Sequence, residues 1–168
     1  MDFVREIYER DLGLSGRDAG SRRHGNQVWL GRSVRGVIFD AQGQVALIPN
    51  GDGPIGSLLG GGIEGQETLD AALSRVAMGQ LGAPIRVLNE VGLVVEYQDE
   101  HELVQFTYAY TAELKMPQLT EEANASGLKV GWLSLREAID VLQRNRPDSY
   151  AAKFQQERDL SILMSLRK

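Results

Sequence analysis

The run Gly60-Gly61-Gly62-Ile63-Glu64-Gly65-Gln66-Glu67, followed directly by Thr68-Leu69-Asp70 and an apolar stripe reaching Gly82, most restricts what this chain can fold into. Three consecutive glycines permit backbone conformations and close approaches that a Cβ forbids, and Thr68 stands where a helix N-cap belongs. Leu69, Leu73 and Val76, flanked by Ala72 and Leu81, recur at helical spacing. The segment therefore predicts a glycine-rich loop feeding a helix that packs one face on a sheet. A loop at a helix N-terminus suits a diphosphate, because open backbone N–H groups and the helix dipole both favour an anion there. Gly60, Gly61 and Gly62 are the expected phosphate contacts.

Strand patterns surround this unit. Val34 to Asp40 and Val45 to Ile48, joined across Gln42-Gly43, read as a hairpin. Arg86 to Tyr97 and Glu102 to Glu113, rich in Val, Leu, Tyr and Phe and joined by Gln98-Asp99-Glu100-His101, read as a longer one. Ser134 with Glu137 forms a capping-box signature, and Ser149 or Asp148 is the expected cap of a last helix. Strands interleaved with amphipathic helices predict an α/β fold, a mixed sheet with helices on both faces. Gly13 to Gly31, rich in Gly, Ser and Arg with little periodicity, reads as a loop.

The glycine-rich segment resembles the Nudix box, whose pattern is G, five residues, E, seven residues, R-E-U-x-E-E-x-G-U, with U aliphatic. Gly61, Glu67, Arg75 and Gly82 fall in register, and Ala77 and Ala83 take the aliphatic positions. The three glutamates that follow the arginine in the family are Val76, Gly79 and Gln80 here, and Leu59 stands where many members carry proline. Leu119-Thr120-Glu121-Glu122 followed by Val130 to Ala138 resembles the acidic loop, strand and helix that close bacterial members, so the resemblance spans the chain. It implies one domain over 1–168, with an N-terminal extension and loop over 1–32 and a core over 33–168, folded as a Nudix-like α/β/α sandwich with a mixed sheet.

Family members hydrolyse a nucleoside diphosphate linked to another group, with Mg²⁺ or Mn²⁺ polarising the phosphate. Magnesium takes hard, preferably anionic oxygens, and Val76, Gly79 and Gln80 supply none with a charge. The leading expectation is a protein that binds a phosphorylated, nucleotide-like ligand, with no metal cofactor and little or no hydrolysis. The first alternative is a Mg²⁺- or Mn²⁺-dependent hydrolase using Glu64, Glu67 and an outside acid, Glu121 or Glu122. The second is a protein-interaction role with a vestigial pocket, with a homodimer built through the N-terminal segment. The resemblance gives Glu67 and Arg75 a structural ion pair, while Arg35 is either a phosphate contact or an outward-facing strand arginine. Gly79 inside a helix costs about 1 kcal/mol relative to Ala.

Composition narrows the classes further. The 168 residues with 42% hydrophobic content suit one self-supporting core. Without cysteine there is no disulfide, thiolate nucleophile or thiolate zinc site, and His24 and His101 are too few for a histidine-rich metal centre. Asp2, Arg5, Glu6, Glu9 and Arg10 interrupt the N-terminal stretch, and no run is apolar enough to span a bilayer, so the expected location is cytoplasmic. A net charge of −5 argues against broad nucleic-acid binding, although Arg17, Arg22, Arg23, Arg32 and Arg35 make the first part locally basic. Asp99, Glu100, His101 and Glu102 read as a solvated hairpin tip, and Trp29, Tyr97, Tyr108 and Trp132 as packing aromatics rather than a base clamp.

Overall fold

A computed structural model describes residues 1–14, 27–50, 53–116 and 129–167. The first hairpin forms because Asp40 Oδ1 accepts from the backbone N–H groups of Gln42 and Gln44, both at 2.9 Å, closing the turn between β2 (Trp29–Phe39) and β3 (Val45–Pro49). Short strands β4 (Ile55–Ser57) and β5 (Leu59–Gly62) follow. The second hairpin joins β6 (Ile85–Gln98) to β7 (Leu103–Leu114) through a 3-10 turn at Asp99–His101.

These strands and β1 (Phe3–Tyr8) build a mixed sheet in the order β1-β6-β7-β2-β3-β4, with β5 also on β2 and β8 (Gly131–Leu133) also on β3. The β2–β7 and β1–β6 pairs are parallel, and the hairpin pairs are antiparallel. Helix α1 (Leu69–Gln80) covers one face, burying Ala72, Leu73, Val76 and Ala77 against Val34, Ile38 and Ala112. Helices α2 (Leu135–Arg144) and α3 (Tyr150–Ser165) cover the other, where Leu142, Phe154 and Ile162 meet Ile7, Val37 and Val94. The result is the α/β/α sandwich expected from sequence, a fully buried aliphatic or aromatic side chain such as Leu73 or Phe154 contributing roughly 1.5–3 kcal/mol.

The helix starts follow from local chemistry. Thr68, Ser134 and Ser149 accept from the backbone N–H groups of Ala71, Glu137 and Ala152, each at 3.1 Å. Glu137 returns the bond to Ser134 N–H and completes the capping box.

The N-terminal stretch differs from expectation. Within the N-terminal extension Phe3 to Tyr8 forms the edge strand β1, and β2 already begins at Trp29, inside the stretch read as loop. Alternation is faint in β1 because Ile7 alone is fully buried. Position 92 shows how closely the strand fits: a Cβ on Gly92, with φ at +151°, would lie 2.7 Å from the Asp2 carbonyl oxygen. Arg5 pairs with Glu157 and ties β1 to α3. Among the described residues no helix is long and apolar enough to cross a membrane.

Candidate functional site

Glu67 and Arg75 hold the turn between β5 and α1. Arg75 Nε donates to Glu67 Oε2 at 2.8 Å and Arg75 Nη2 to Glu67 Oε1 at 3.0 Å, a two-pronged pair, and Nη2 also reaches the Gly62 carbonyl at 2.8 Å. Glu67 Oε1 takes the Glu64 N–H at 2.8 Å, and the Glu64 carboxylate lies 3.5 Å from Arg75 with its side chain 71% exposed. The hydrogen bond from Arg75 chiefly, then the backbone bond at Glu64, hold the Glu67 carboxyl below its ordinary range. Both carboxylates therefore serve the guanidinium that fixes the turn.

The glycines sit differently from the phosphate loop expected of them. Leu59 to Gly62 is a strand paired antiparallel with Ser33 to Gly36 of β2. Gly60 is buried, and a Cβ there would lie 1.9 Å from Arg35 Nη1, so the missing side chain makes room for Arg35. The Gly60 N–H donates to Gln80 Oε1 at 3.0 Å, and Gln80 Nε2 donates to the Gly60 carbonyl at 2.9 Å. A peptide unit offers one donor and one acceptor, and a glutamine amide matches both, whereas a carboxylate only accepts. Gly60 thus has no group left for phosphate; Gly61 is half-buried and Gly62 exposed.

The other replaced box positions also lack a ligating group. Val76 is packed in the core against α1's side of the sheet, 3.4 Å from where a Gly61 Cβ would stand. A Cβ on Gly79 would meet nothing within 4 Å. Core packing, open space and a backbone strap do not make a set of anionic oxygens, and among the described residues no three His, Asp or Glu side chains are gathered for a metal ion. Val76, Gly79 and Gln80 thus offer Mg²⁺ or Mn²⁺ no anionic oxygen.

Arg35 projects from β2 to the opposite face, toward α3, into a buried charge cluster. Arg158 Nε donates to Asp159 Oδ1 at 3.1 Å, Arg158 Nη1 to Glu96 Oε2 at 3.3 Å, and Arg35 Nε lies 3.7 Å from Asp159 Oδ1. Asp159 Oδ2 accepts from the Leu58 N–H at 3.1 Å and from Ser57 Oγ at 3.4 Å; Gln98 Nε2 donates to Glu96 Oε1 at 3.1 Å. Glu96 and Asp159 have fully buried side chains. Burial, and then the charge of Arg158, lower Arg35 to about 10. Burial also raises Glu96 above its ordinary range, against the opposing pull of Arg158.

Above this cluster opens a pocket of about 380 Å³, lined by Arg35, Arg158, Glu96, Gln98, Gln105 and Gln155, with Gly61 and Gly62 at its margin. It lies between the sheet and α3. Sequence reading missed Glu96, Arg158 and Asp159. A signal existed: Arg158 interrupts the apolar stripe Phe154, Arg158, Ile162 at helical spacing, and a charge in such a stripe is buried only with partners.

Glu121 and Glu122 lie outside the described residues, as do Arg17, Arg22, Arg23 and His24. The hairpin tip is docked rather than free: the Glu100 N–H donates to Glu9 Oε2 and Tyr150 Oη, and His101 meets the Tyr150 ring edge-on at 4.7 Å. Tyr97 stacks on Tyr8, Tyr108 lies under Arg32, Trp132 packs against the α1-side core, and Trp29 is exposed. None of these rings lines the pocket.

The model of the NUDIX domain family matches residues 29–154. No match is found among curated proteins. Solved structures of similar fold include the Escherichia coli ORF135 protein, at 19% identity and TM-score 0.52 over 83% of this chain and 94% of that one. An ADP-ribose pyrophosphatase from Streptococcus suis is 17% identical, with TM-score 0.50 over 82% of this chain and 92% of that one. NrtR from Shewanella oneidensis is 23% identical, with TM-score 0.56 over 82% of this chain and 62% of that one. With its box frame, its sandwich and three quarters of its length matched, the chain belongs to the Nudix family.

Proposed function

We propose that this chain binds a phosphorylated, nucleotide-like ligand and carries out little or no metal-dependent hydrolysis. The observation that carries this reading is Gln80: at a position where the family holds a carboxylate, its amide is tied to both polar groups of Gly60. Losing three negative charges also changes what the surface accepts. A diphosphate beside three glutamates needs a divalent ion between like charges, whereas Val76, Gly79 and Gln80 bring no charge to repel it. Arg35 and the margin at Gly61 and Gly62 are the proposed contacts, and the proposed location is cytoplasmic.

The similar fold of an ADP-ribose pyrophosphatase makes nucleoside diphosphate derivatives the first ligands to try. Calorimetry in EDTA tests the reading: micromolar or tighter binding of such a derivative supports it, and absence of binding by every phosphorylated compound tried sinks it. A hydrolase built on Glu64, Glu67 and Glu121 or Glu122 is the second reading, favoured by the exposure of the Glu64 carboxylate. It requires Mn²⁺ binding that disappears in Glu64→Gln.

A further inference from the structure

The pocket on the α3 face has features that the box does not explain. Three arginines line it, Arg32, Arg35 and Arg158, and two of them keep a buried N–H without a hydrogen-bond partner among the described residues, Nε of Arg35 and Nη2 of Arg158. The Arg158 side chain is only 7% exposed. The two carboxylates behind them are already shared: Asp159 serves Arg158, the Leu58 N–H and Ser57 and lies 3.7 Å from Arg35 Nε, an ion pair beyond hydrogen-bond distance, while Glu96 serves Arg158 and Gln98. An orphaned guanidinium N–H in a desolvated place is costly, and an anionic oxygen is its strongest partner. Phosphoryl oxygens suit the fork of a guanidinium better than they suit a point charge.

The rest of the lining selects what is attached to the anion. Gln98, Gln105 and Gln155 bring three side-chain amides, and Gln105 has no side-chain hydrogen-bond partner among the described residues. Amides pair with hydroxyl groups, which both donate and accept. No aromatic ring lines the pocket, and every Trp, Tyr and Phe of the chain falls within the described residues, so a stacking platform for a base is missing. At about 380 Å³ the space is at the small end for a ligand pocket and suits a single phosphorylated sugar ring.

We infer that the pocket holds a sugar phosphate end of the ligand, its phosphoryl group on Arg35 and Arg158 and its hydroxyls on the Gln98, Gln105 and Gln155 amides, without reading a base. This rests on the reading that the chain binds phosphorylated ligands, and it narrows their class. Burial first, and then the charge of Arg158, disfavour the charged form of Arg35; Asp159 and Glu96 oppose this, and a phosphoryl anion against the two guanidiniums would oppose it further.

The test is a titration of the whole protein followed by amide and guanidinium NMR, with inorganic phosphate, ribose 5-phosphate, ribose, adenosine and ADP as probes. Phosphate and ribose 5-phosphate are expected to shift the signals of Gly31, Ser33, Gly62, Arg35 and Arg158, with ribose 5-phosphate binding about tenfold tighter than phosphate. Ribose and adenosine are expected to leave these signals unmoved. Gln105→Glu, which adds a negative charge at the pocket without removing any observed bond, should weaken ribose 5-phosphate by about tenfold or more at an unchanged unfolding midpoint. Adenosine shifting the pocket, or undiminished binding by Gln105→Glu, overturns the inference. If ADP binds at the box while phosphate and ribose 5-phosphate stay silent, this inference fails and the proposed function stands. Silence from all three phosphorylated probes removes both.

Discussion

The Glu67–Arg75 pair beside α1 and the Arg158–Glu96–Asp159 cluster beneath α3 use the same chemical groups in opposite surroundings. Arg75 keeps 37% of its side chain exposed, and its bonds fix the shape of a turn. Arg158 keeps 7%, and its two acids none. Exposed pairs of the first kind are screened by water and add little stability, whereas taking charges out of water costs several kcal/mol per ion before pairing recovers it. The contrast teaches where to look for function: the box has kept the cheap pair that sets its geometry, while the costly one sits on the sheet face that opens into the pocket.

Removing one partner from the buried side has the largest expected effect. Arg158→Gln leaves Glu96 and Asp159 short of their cation and is expected to cost about 3–5 kcal/mol in urea unfolding. A loss no larger than that of a surface substitution would show that the cluster is solvated. Gln80→Ala comes next, because the buried Gly60 N–H and C=O both lose their partner; about 1–3 kcal/mol is expected from the same measurement.

Gly79→Ala should act in the other direction. The added methyl meets nothing within 4 Å in the last turn of α1, so a gain of up to about 0.5–1 kcal/mol, the helix-interior value being the ceiling, is expected in thermal unfolding.

Protonation gives the smallest and most diagnostic effects, because the two sides respond with opposite signs. Glu67 titrates below its ordinary 4.5, so its pair contributes stability above that pH and loses it as pH falls through the lowered value. Glu96 titrates above 4.5, so its contribution is full below that pH and is lost as pH rises through the raised value. Glu67→Gln should flatten only the acid limb of a stability–pH curve measured by urea unfolding. Glu96→Gln should flatten only the decline above 4.5.

Much of the fold was legible because its signals are local. The hairpin turn at Asp40, the capping residues Thr68, Ser134 and Ser149, and the helical stripe of α1 each declare themselves within a few residues. Strand β1 was hidden because its pairing with β6 bridges some ninety positions of chain and buries one side chain completely. The box frame was legible too, but the use of its glycines was not. That Gly60 is occupied by Arg35 and Gln80 depends on a strand at 35 and a helix end at 80 arriving at one place. The Arg158 cluster likewise draws on β2, β4, β6 and α3, and no spacing along the chain encodes such a meeting.

The replaced glutamates, in the function proposed here, end metal-dependent hydrolysis while ligand binding remains. Folded protein incubated with a panel of nucleoside diphosphate derivatives and Mg²⁺ or Mn²⁺, with and without EDTA, and followed by phosphorus NMR, tests it most directly. No phosphorus-containing product is expected in either arm. Turnover that EDTA abolishes would contradict it and would mean that carboxylates away from Val76, Gly79 and Gln80 have rebuilt the metal site.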